Sequence, residues 1–571
     1  MLLSIATVFA IAACGNDKQN SSSSDGGNDP DYAKRSKKIT FSYYAGGYGS
    51  DWVKAVAKDY MDNVNTEVYV ELKKSSDNST AKSNIESNVG IADLYQIEAD
   101  MFGLDDCLEN LTSFYNDTAV YGENVKIKDK MPKYSLDYYN EKGEYYQVPQ
   151  TAMTGFNWVY NKTLLDGTFG KDNYVLPRTT NEMLAFGDKL YEKGVFLTAA
   201  ALADTAGGNY AQYATMNFFA QMTGLDGWNK FNSGLVKRNG EWVLSEEAPY
   251  VISDNKTAIE SAYKFAEKLY RKASGPEVQY LHKNSPSFEY KDLDKVFFGG
   301  KFKAQTLPAF AFAYVGGWLE TEVSEYLKEG AITPKEVYAM RTPVLSDIVK
   351  TLENTAMTDS ELSAIIAEID NGATLSTRCS QSDFDRISEA RHMVTEYICR
   401  CFVIPKGSRN KAEAKEFLAY LASDRAQKIA AKNSNGINVL PFGYTPTDED
   451  MGFEISAFTK SVAAITNSDT VKIIDSAQLD KTFKKEVNIL WFYDIKNTSA
   501  LANNVYSGTA TPSDQIFDMT YKYYNEYAHK QIQKERRVSV KERNSGYEKN
   551  ICLHICGRGY PRVFRLLVRA G

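Results

Sequence analysis

The stretch Tyr145-Tyr146-Gln147-Val148-Pro149-Gln150-Thr151-Ala152-Met153-Thr154-Gly155-Phe156-Asn157-Trp158-Val159-Tyr160-Asn161-Lys162 joins a tyrosine-rich approach and the run VPQT to an apolar strand that closes on YNK. Upstream of it stand the parts of a parallel sheet. Lys38 to Tyr44 alternates Ile39, Phe41 and Tyr43, and alternate residues share one face of a strand. The strand runs into Ala45-Gly46-Gly47-Tyr48-Gly49, after which Ser50 or Asp51 caps a helix with apolar positions Val53, Val56, Ala57, Tyr60, Met61 and Val64. A second alternating strand, Glu67 to Leu72, follows, and the order strand, glycine loop, helix, strand opens an α/β fold. The loop is neither GxGxxG nor GxxxxGK; it carries Tyr44 and Tyr48 and reads as a loop for an uncharged ligand. Ile91 to Ile97 is a third strand, ending at Glu98 and Asp100. Ligands in open α/β sheets sit beyond the C-terminal ends of strands, which places these carboxylates to accept hydrogen bonds from hydroxyls, capping of the next turn being the other role open to them.

Downstream, Pro177-Arg178-Thr179-Thr180-Asn181-Glu182 opens an amphipathic helix through Tyr191. Phe297-Phe298-Gly299-Gly300-Lys301 leads a strand and then Gly316-Gly317-Trp318-Leu319-Glu320. Phe402 to Lys411 (FVIPKGSRNK) precedes a helix carrying Ala414, Phe417, Leu418 and Leu421, and Ser423-Asp424-Arg425-Ala426-Gln427-Lys428 and Asn438-Val439-Leu440-Pro441 come after it. Taken in this order, residues 38 to 528 resemble the family 1 extracellular solute-binding proteins, the carbohydrate-binding components of ABC importers and the class of maltose-binding protein.

The resemblance implies two α/β lobes of the periplasmic-binding-protein type with a hinge and the ligand in the cleft between them. By position, the first crossing falls near Met153 to Gly155 and the second within Tyr397 to Phe402. The expected organisation is a first lobe over 38–153 and 399–450 and a second over 154–398 and 451–528. The segment Val344 to Met393 is longer than in smaller relatives, polar and helical in pattern, with its side of the cleft open. The resemblance further implies a sugar or oligosaccharide ligand, an ABC transporter permease as partner, no cofactor, no bond chemistry and a monomer. A pyranose offers a hydroxyl rim and apolar C–H faces, so its site needs planar side chains and short polar ones. The stacking candidates are Trp318, Tyr44 and Tyr48, then Trp158 and Trp228; for the rim they are Glu98, Gln150, Thr151 and Arg400, the last equally open to an ion pair between lobes.

The chain begins with an apolar run, Leu2 to Cys14, closed by Ile11-Ala12-Ala13-Cys14, which resembles a bacterial lipoprotein lipobox in which that Cys is acylated and becomes the new N-terminus. Residues 1–14 are then a signal peptide with its lipidation site at Cys14, and 15–37 a flexible tether rich in Ser, Gly, Asn and Asp. Two acyl chains hold far better than one at about 0.8 kcal/mol per buried methylene, so the expected location is the outer face of the cytoplasmic membrane, reached through the lipid anchor alone. No Lys or Arg precedes the run where the pattern has one, which suggests a start further upstream.

Charge bears on one class of partner. The 571 residues hold 66 basic and 73 acidic side chains, and the part before His529 carries 55 and 70, an acidic body that argues against nucleic acid as partner. From His529 onward 11 basic residues face 3 acidic ones, and this 529–571 tail reads as a disordered extension; Cys552-Leu553-His554-Ile555-Cys556 offers three ligands at cramped spacing, too few for a zinc site. Seven Cys form no dense framework, and Cys399 and Cys401 share a strand face. Four His, without HExxH or GxSxG, leave metalloprotease and serine hydrolase chemistry without parts. A lipid-anchored glycoside hydrolase is the rival class, and it needs two carboxylates at set separation that adjacent pairs such as Asp105-Asp106 or Glu246-Glu247 do not supply. A peptide or other polar solute suits stacking tyrosines as well, and an adhesin is compatible with the anchor.

Overall fold

The computed structural model describes residues 31–475 apart from 46, 76–77, 99–103, 133–134, 137–138, 141, 151–154, 204, 233–234, 239–240, 245–254 and 397–399. Cys14, most of the tether, Asp100, Thr151 and the tail lie outside the described residues, as do the side chains of Glu98 and Arg400.

Thirteen described strands are β1 (Lys37–Tyr44), β2 (Val68–Ser75), β3 (Leu94–Glu98), β4 (Val148–Pro149), β5 (Phe156–Asn161), β6 (Phe196–Thr198), β7 (Leu235–Arg238), β8 (Glu241–Leu244), β9 (Phe310–Gly316), β10 (Val337–Met340), β11 (Met393–Glu396), β12 (Arg400–Val403) and β13 (Lys472–Asp475). They build two large sheets and the small β7–β8 hairpin. The first sheet runs β2-β1-β3-β12-β4, with β1 parallel to β2 and β3, and β12 antiparallel to β3 and β4. The second runs β13-β11-β5-β9-β6, with β10 also antiparallel to β5. The chain leaves the first sheet after Pro149 and enters the second at Phe156. It returns between Glu396 and Arg400 and passes over once more before β13. This is a two-lobed α/β fold.

Each sheet has its own core. Ile39 and Phe41 on β1 are fully buried against Val53, Val56 and Tyr60, and against Phe417 and Tyr420 of the helix Lys411–Leu421. In the second sheet the pleat divides the interior. Trp158, Phe312 and Tyr314 feed one cluster, while Val159, Ala313 and Val315 feed another on the opposite face. A strand covered on both sides reads as a continuous apolar run, which is why Phe310–Gly316 is buried at all seven positions.

The helix after the glycine loop departs from a plain α-helix. It is α-helical over Asp51–Asp59 and widens to a π-turn at Tyr60–Val64. The wider turn leaves Tyr60 and Met61 both buried, and the Met61 carbonyl accepts a 2.6 Å hydrogen bond from the Arg35 guanidinium. Ser50 stands at the N-cap without a side-chain capping bond. Thr179, by contrast, makes a full capping box with Glu182 at the start of the helix Thr180–Glu192.

The 344–393 segment belongs to the second lobe. Leu362, Ile365, Ile366 and Ile369 of the helix Asp359–Asp370, with Phe384 and Ile387 of Gln381–Arg391, join the cluster that holds Trp158 and Phe312. Its polar residues form the outer faces of helices whose apolar stripe is internal.

Candidate functional site

Trp318 follows β9 directly, where the strand ends in two glycines. A Cβ on Gly316 would lie 2.3 Å from Trp318 Cζ2, so only a glycine there lets the indole fold back over the strand end. The Gly317 N–H donates to the Gly155 carbonyl at 3.1 Å, which ties this turn to the point where β5 begins. Half-buried, Trp318 packs against the cores of both lobes.

Two rings meet it directly, and two more stand behind one of them. Tyr48, from the glycine loop of the first lobe, meets the indole edge to face at 5.7 Å and 76°. Phe156, the first residue of β5, meets it at 5.2 Å and 82°. Phe156 in turn contacts Tyr210 at 5.3 Å and Tyr213 at 4.6 Å. These two tyrosines sit one turn apart on the helix Thr205–Asn232, which is broken at Gly224 with φ 74°. T-shaped pairs of this kind are the preferred aromatic geometry and contribute about 0.5–1.5 kcal/mol each beyond area. The backbone of Gly47 approaches the indole as well: a Cβ there would stand 3.0 Å from Trp318 Cγ and 3.2 Å from Cδ1.

Trp318 also hydrogen-bonds the Tyr210 hydroxyl, whose pKa burial pushes well above its ordinary value, with the Glu322 and Asp294 carboxylates pushing the same way. Asp294, 2% exposed on the helix Tyr290–Phe297, is itself driven upward by burial and then by Glu322. Burial disfavours the charged form of a carboxyl, and the neighbouring Glu322 acts on Asp294 in the same direction. The arrangement is an aromatic cluster around the indole with two carboxyl groups, Asp294 and Glu322, behind Tyr210.

The other sequence candidates fall elsewhere. Tyr44 ends β1, and its N–H donates to Gln96 Oε1 at 2.8 Å. Gln96 Nε2 donates to Gln150 Oε1 at 2.7 Å, and Gln150 Nε2 donates to the Val439 carbonyl. Gln150 is thus a buried strut beneath the loop, 2% exposed, with its amide spent inside the first lobe. Trp158 and Trp228, each 1% exposed, are core side chains of the second lobe, Trp158 against Tyr314 and Trp228 against Phe219. Glu98 and Arg400 are register partners across the β3–β12 ladder. Thr151 lies outside the described residues.

Phe156, Tyr210 and Tyr213 were not singled out from sequence. Phe156 had a signal, since it stands directly after Gly155 where the strand begins; the tyrosines had none beyond their spacing on one helix face.

A cavity of about 960 Å³ lies along the helix Gln381–Arg391 and the turn before β13, lined by Ser382, Asp385, Arg386, Glu389, His392 and Lys472 among others. Of its charges, Arg386 is paired to Glu389 at 3.3 Å and bonded to the Gln221 carbonyl. It has no aromatic lining. Among the described residues Cys107, Cys379 and Cys401 form no disulfide, and no helix is long and apolar enough to cross a membrane.

No family model and no curated protein matches the chain. Solved structures do. The apo-form of RafE from Streptococcus pneumoniae matches with TM-score 0.53 at 13% identity, over 86% of this chain and 98% of that one. A chitin oligosaccharide binding protein matches at 0.52 and 12% identity, over 86% and 98%. RafE in complex with raffinose matches at 0.51 and 12% identity, over 85% and 99%. The chain therefore has the fold of two-lobed solute-binding proteins. RafE is seen there in complex with raffinose, and the second neighbour is a chitin oligosaccharide binding protein.

Proposed function

We propose that this protein is a family 1 extracellular solute-binding protein, tethered through a lipid on Cys14, that captures a sugar or oligosaccharide between its lobes and presents it to an ABC importer. The observation that carries the proposal is Trp318, a half-buried indole at the end of β9 that packs on both cores beside Tyr48 of the opposite lobe. A planar ring there can stack on the C–H face of a pyranose, and few rotors freeze when it does. A ligand touching both lobes shifts the population toward the closed form, which is what a permease would recognise. The lobes in this reading comprise 38–153 with 399–450, and 154–398 with the chain from 451, a division supported by the strand membership of the two sheets. Glu98, Arg400 and Thr151 remain rim candidates, and the protein acts as a monomer without cofactor.

The test is a thermal-shift and calorimetry screen of the purified chain against raffinose, chitin oligosaccharides and other saccharides, with the sugar checked afterwards for cleavage. A ligand that stabilises the protein by mass action and is recovered whole supports the reading. Released reducing ends would replace it with the hydrolase, and no response to any saccharide would replace it with another solute.

A further inference from the structure

The Trp318 indole that would receive a ligand already has an occupant. Gly47 lies against its five-membered ring, so close that a Cβ would fall 3.0–3.3 Å from Cγ, Cδ1 and Cδ2, and its φ of +51° is one that L side chains rarely adopt. Tyr48, 5% exposed, closes on the indole from the side. Gly49 follows with φ +72° and nothing within 4 Å of where its Cβ would stand. A peptide unit without a side chain is thin and flat, with an apolar Cα–H and a polar rim, much as a sugar ring is.

We propose that Gly47 and Tyr48 form a latch that draws the lobes of the empty chain together by occupying the Trp318 platform, in equilibrium with an unlatched open form, and that a ligand binds the open form and closes it with itself in the latch's place. This rests on the reading of Trp318 as the ligand platform. The physical logic is competition for one apolar surface. An indole between two lobes gains by being covered, and in the absence of solute the loop of the first lobe covers it. Ligand must then draw on the unlatched fraction, so its apparent affinity is lowered by that fraction, and weakening the latch changes the lobe equilibrium of the empty protein. Glycine suits the contact because a Cβ at position 47 would press on the ring at 3.0 Å and the backbone there holds φ at +51°, which strains any L side chain.

The experiment is small-angle scattering of the full chain without ligand, comparing wild type with Gly47→Val, Tyr48→Ala and Trp318→Ala, each checked for native circular dichroism. The expected result is a compact wild type and a larger radius of gyration in every folded variant. Equal radii for wild type and the folded variants, whether small or large, would overturn the latch. Should Gly47→Val not fold, Tyr48→Ala and Trp318→Ala decide the matter in the same way. A saccharide titration in parallel separates the two readings. Variants that expand while no saccharide binds wild type would keep the latch and remove the sugar reading. A saccharide that binds a wild type already as expanded as its variants would keep the sugar reading and remove the latch.

Discussion

A methyl group on Gly316 would stand 2.3 Å from the Trp318 ring, so replacing one hydrogen displaces the largest side chain at the junction. Gly316→Ala should therefore cost about 1–3 kcal/mol in denaturant unfolding, the range for overpacking, and weaken ligand binding through the shifted indole. Trp318→Ala should leave the fold intact and weaken binding by about 30-fold or more, corresponding to roughly 2 kcal/mol for a central stacking residue. Unchanged calorimetric affinity in that variant would remove Trp318 from the site. Trp158 and Trp318 illustrate what sequence tells about a tryptophan. Trp158 sits inside an apolar strand and is core, whereas Trp318 follows two glycines at a strand end and is half-buried. The glycine pair was the legible difference.

His282 carries a pH prediction. It is fully buried among Phe196, Phe288 and Phe310, its Nδ1 accepts from the Asn284 N–H, and burial pulls its pKa down to about 4. The folded state thus binds fewer protons than the unfolded chain between about pH 4 and the ordinary 6.5. Stability from this residue is complete above pH 6.5 and falls as pH drops through that window, by roughly 3 kcal/mol at pH 4. Urea titrations at several pH values should show the loss, and His282→Gln should flatten that part of the profile. A slope unchanged by the substitution would assign the acid sensitivity elsewhere.

At the scale of elements, caps act locally, yet Ser50, expected to cap its helix, makes no side-chain capping bond, and the capping box forms where the sequence reading had only a helix start. Thr179 and Glu182 stand three apart, and the structure joins them reciprocally. What the spacing did not contain is the second duty of Thr179, whose hydroxyl donates to Asp359 at 2.8 Å across the fold. Thr179→Ala should consequently cost near the upper end of the capping range, about 2 kcal/mol, and lower the thermal midpoint; a loss of only a few tenths would mean that the Asp359 bond contributes nothing. The π-turn at Tyr60–Val64 was not legible, because the apolar spacing of Val53, Val56, Ala57, Tyr60 and Met61 fits an α-helix equally well. Packing under β2, where the Val70 N–H reaches Met61 Sδ at 3.3 Å, decided it.

At the scale of the molecule, the proposed anchor and the proposed ligand site can be tested separately. Cys14→Ala should release the protein from membranes into the medium without altering saccharide affinity, read by fractionation and calorimetry; continued membrane retention would refute lipidation at that residue. Saturating ligand at 100-fold its Kd should stabilise the fold by about 2.7 kcal/mol, visible as a concentration-dependent thermal midpoint.

The sequence by itself determined the strands and helices, through alternation and apolar stripes that act within a few residues, together with the acidic balance of the body. It could not say which of 38 tyrosines meet Trp318, nor on which lobe residues 344–393 lie. Those were decided by the tertiary structure, because Tyr48, Phe156, Tyr210 and Trp318 come from four separate segments that meet only after the chain has crossed between two sheets. Local periodicity records which face of an element is apolar; what that face is pressed against depends on the long-range path of the backbone.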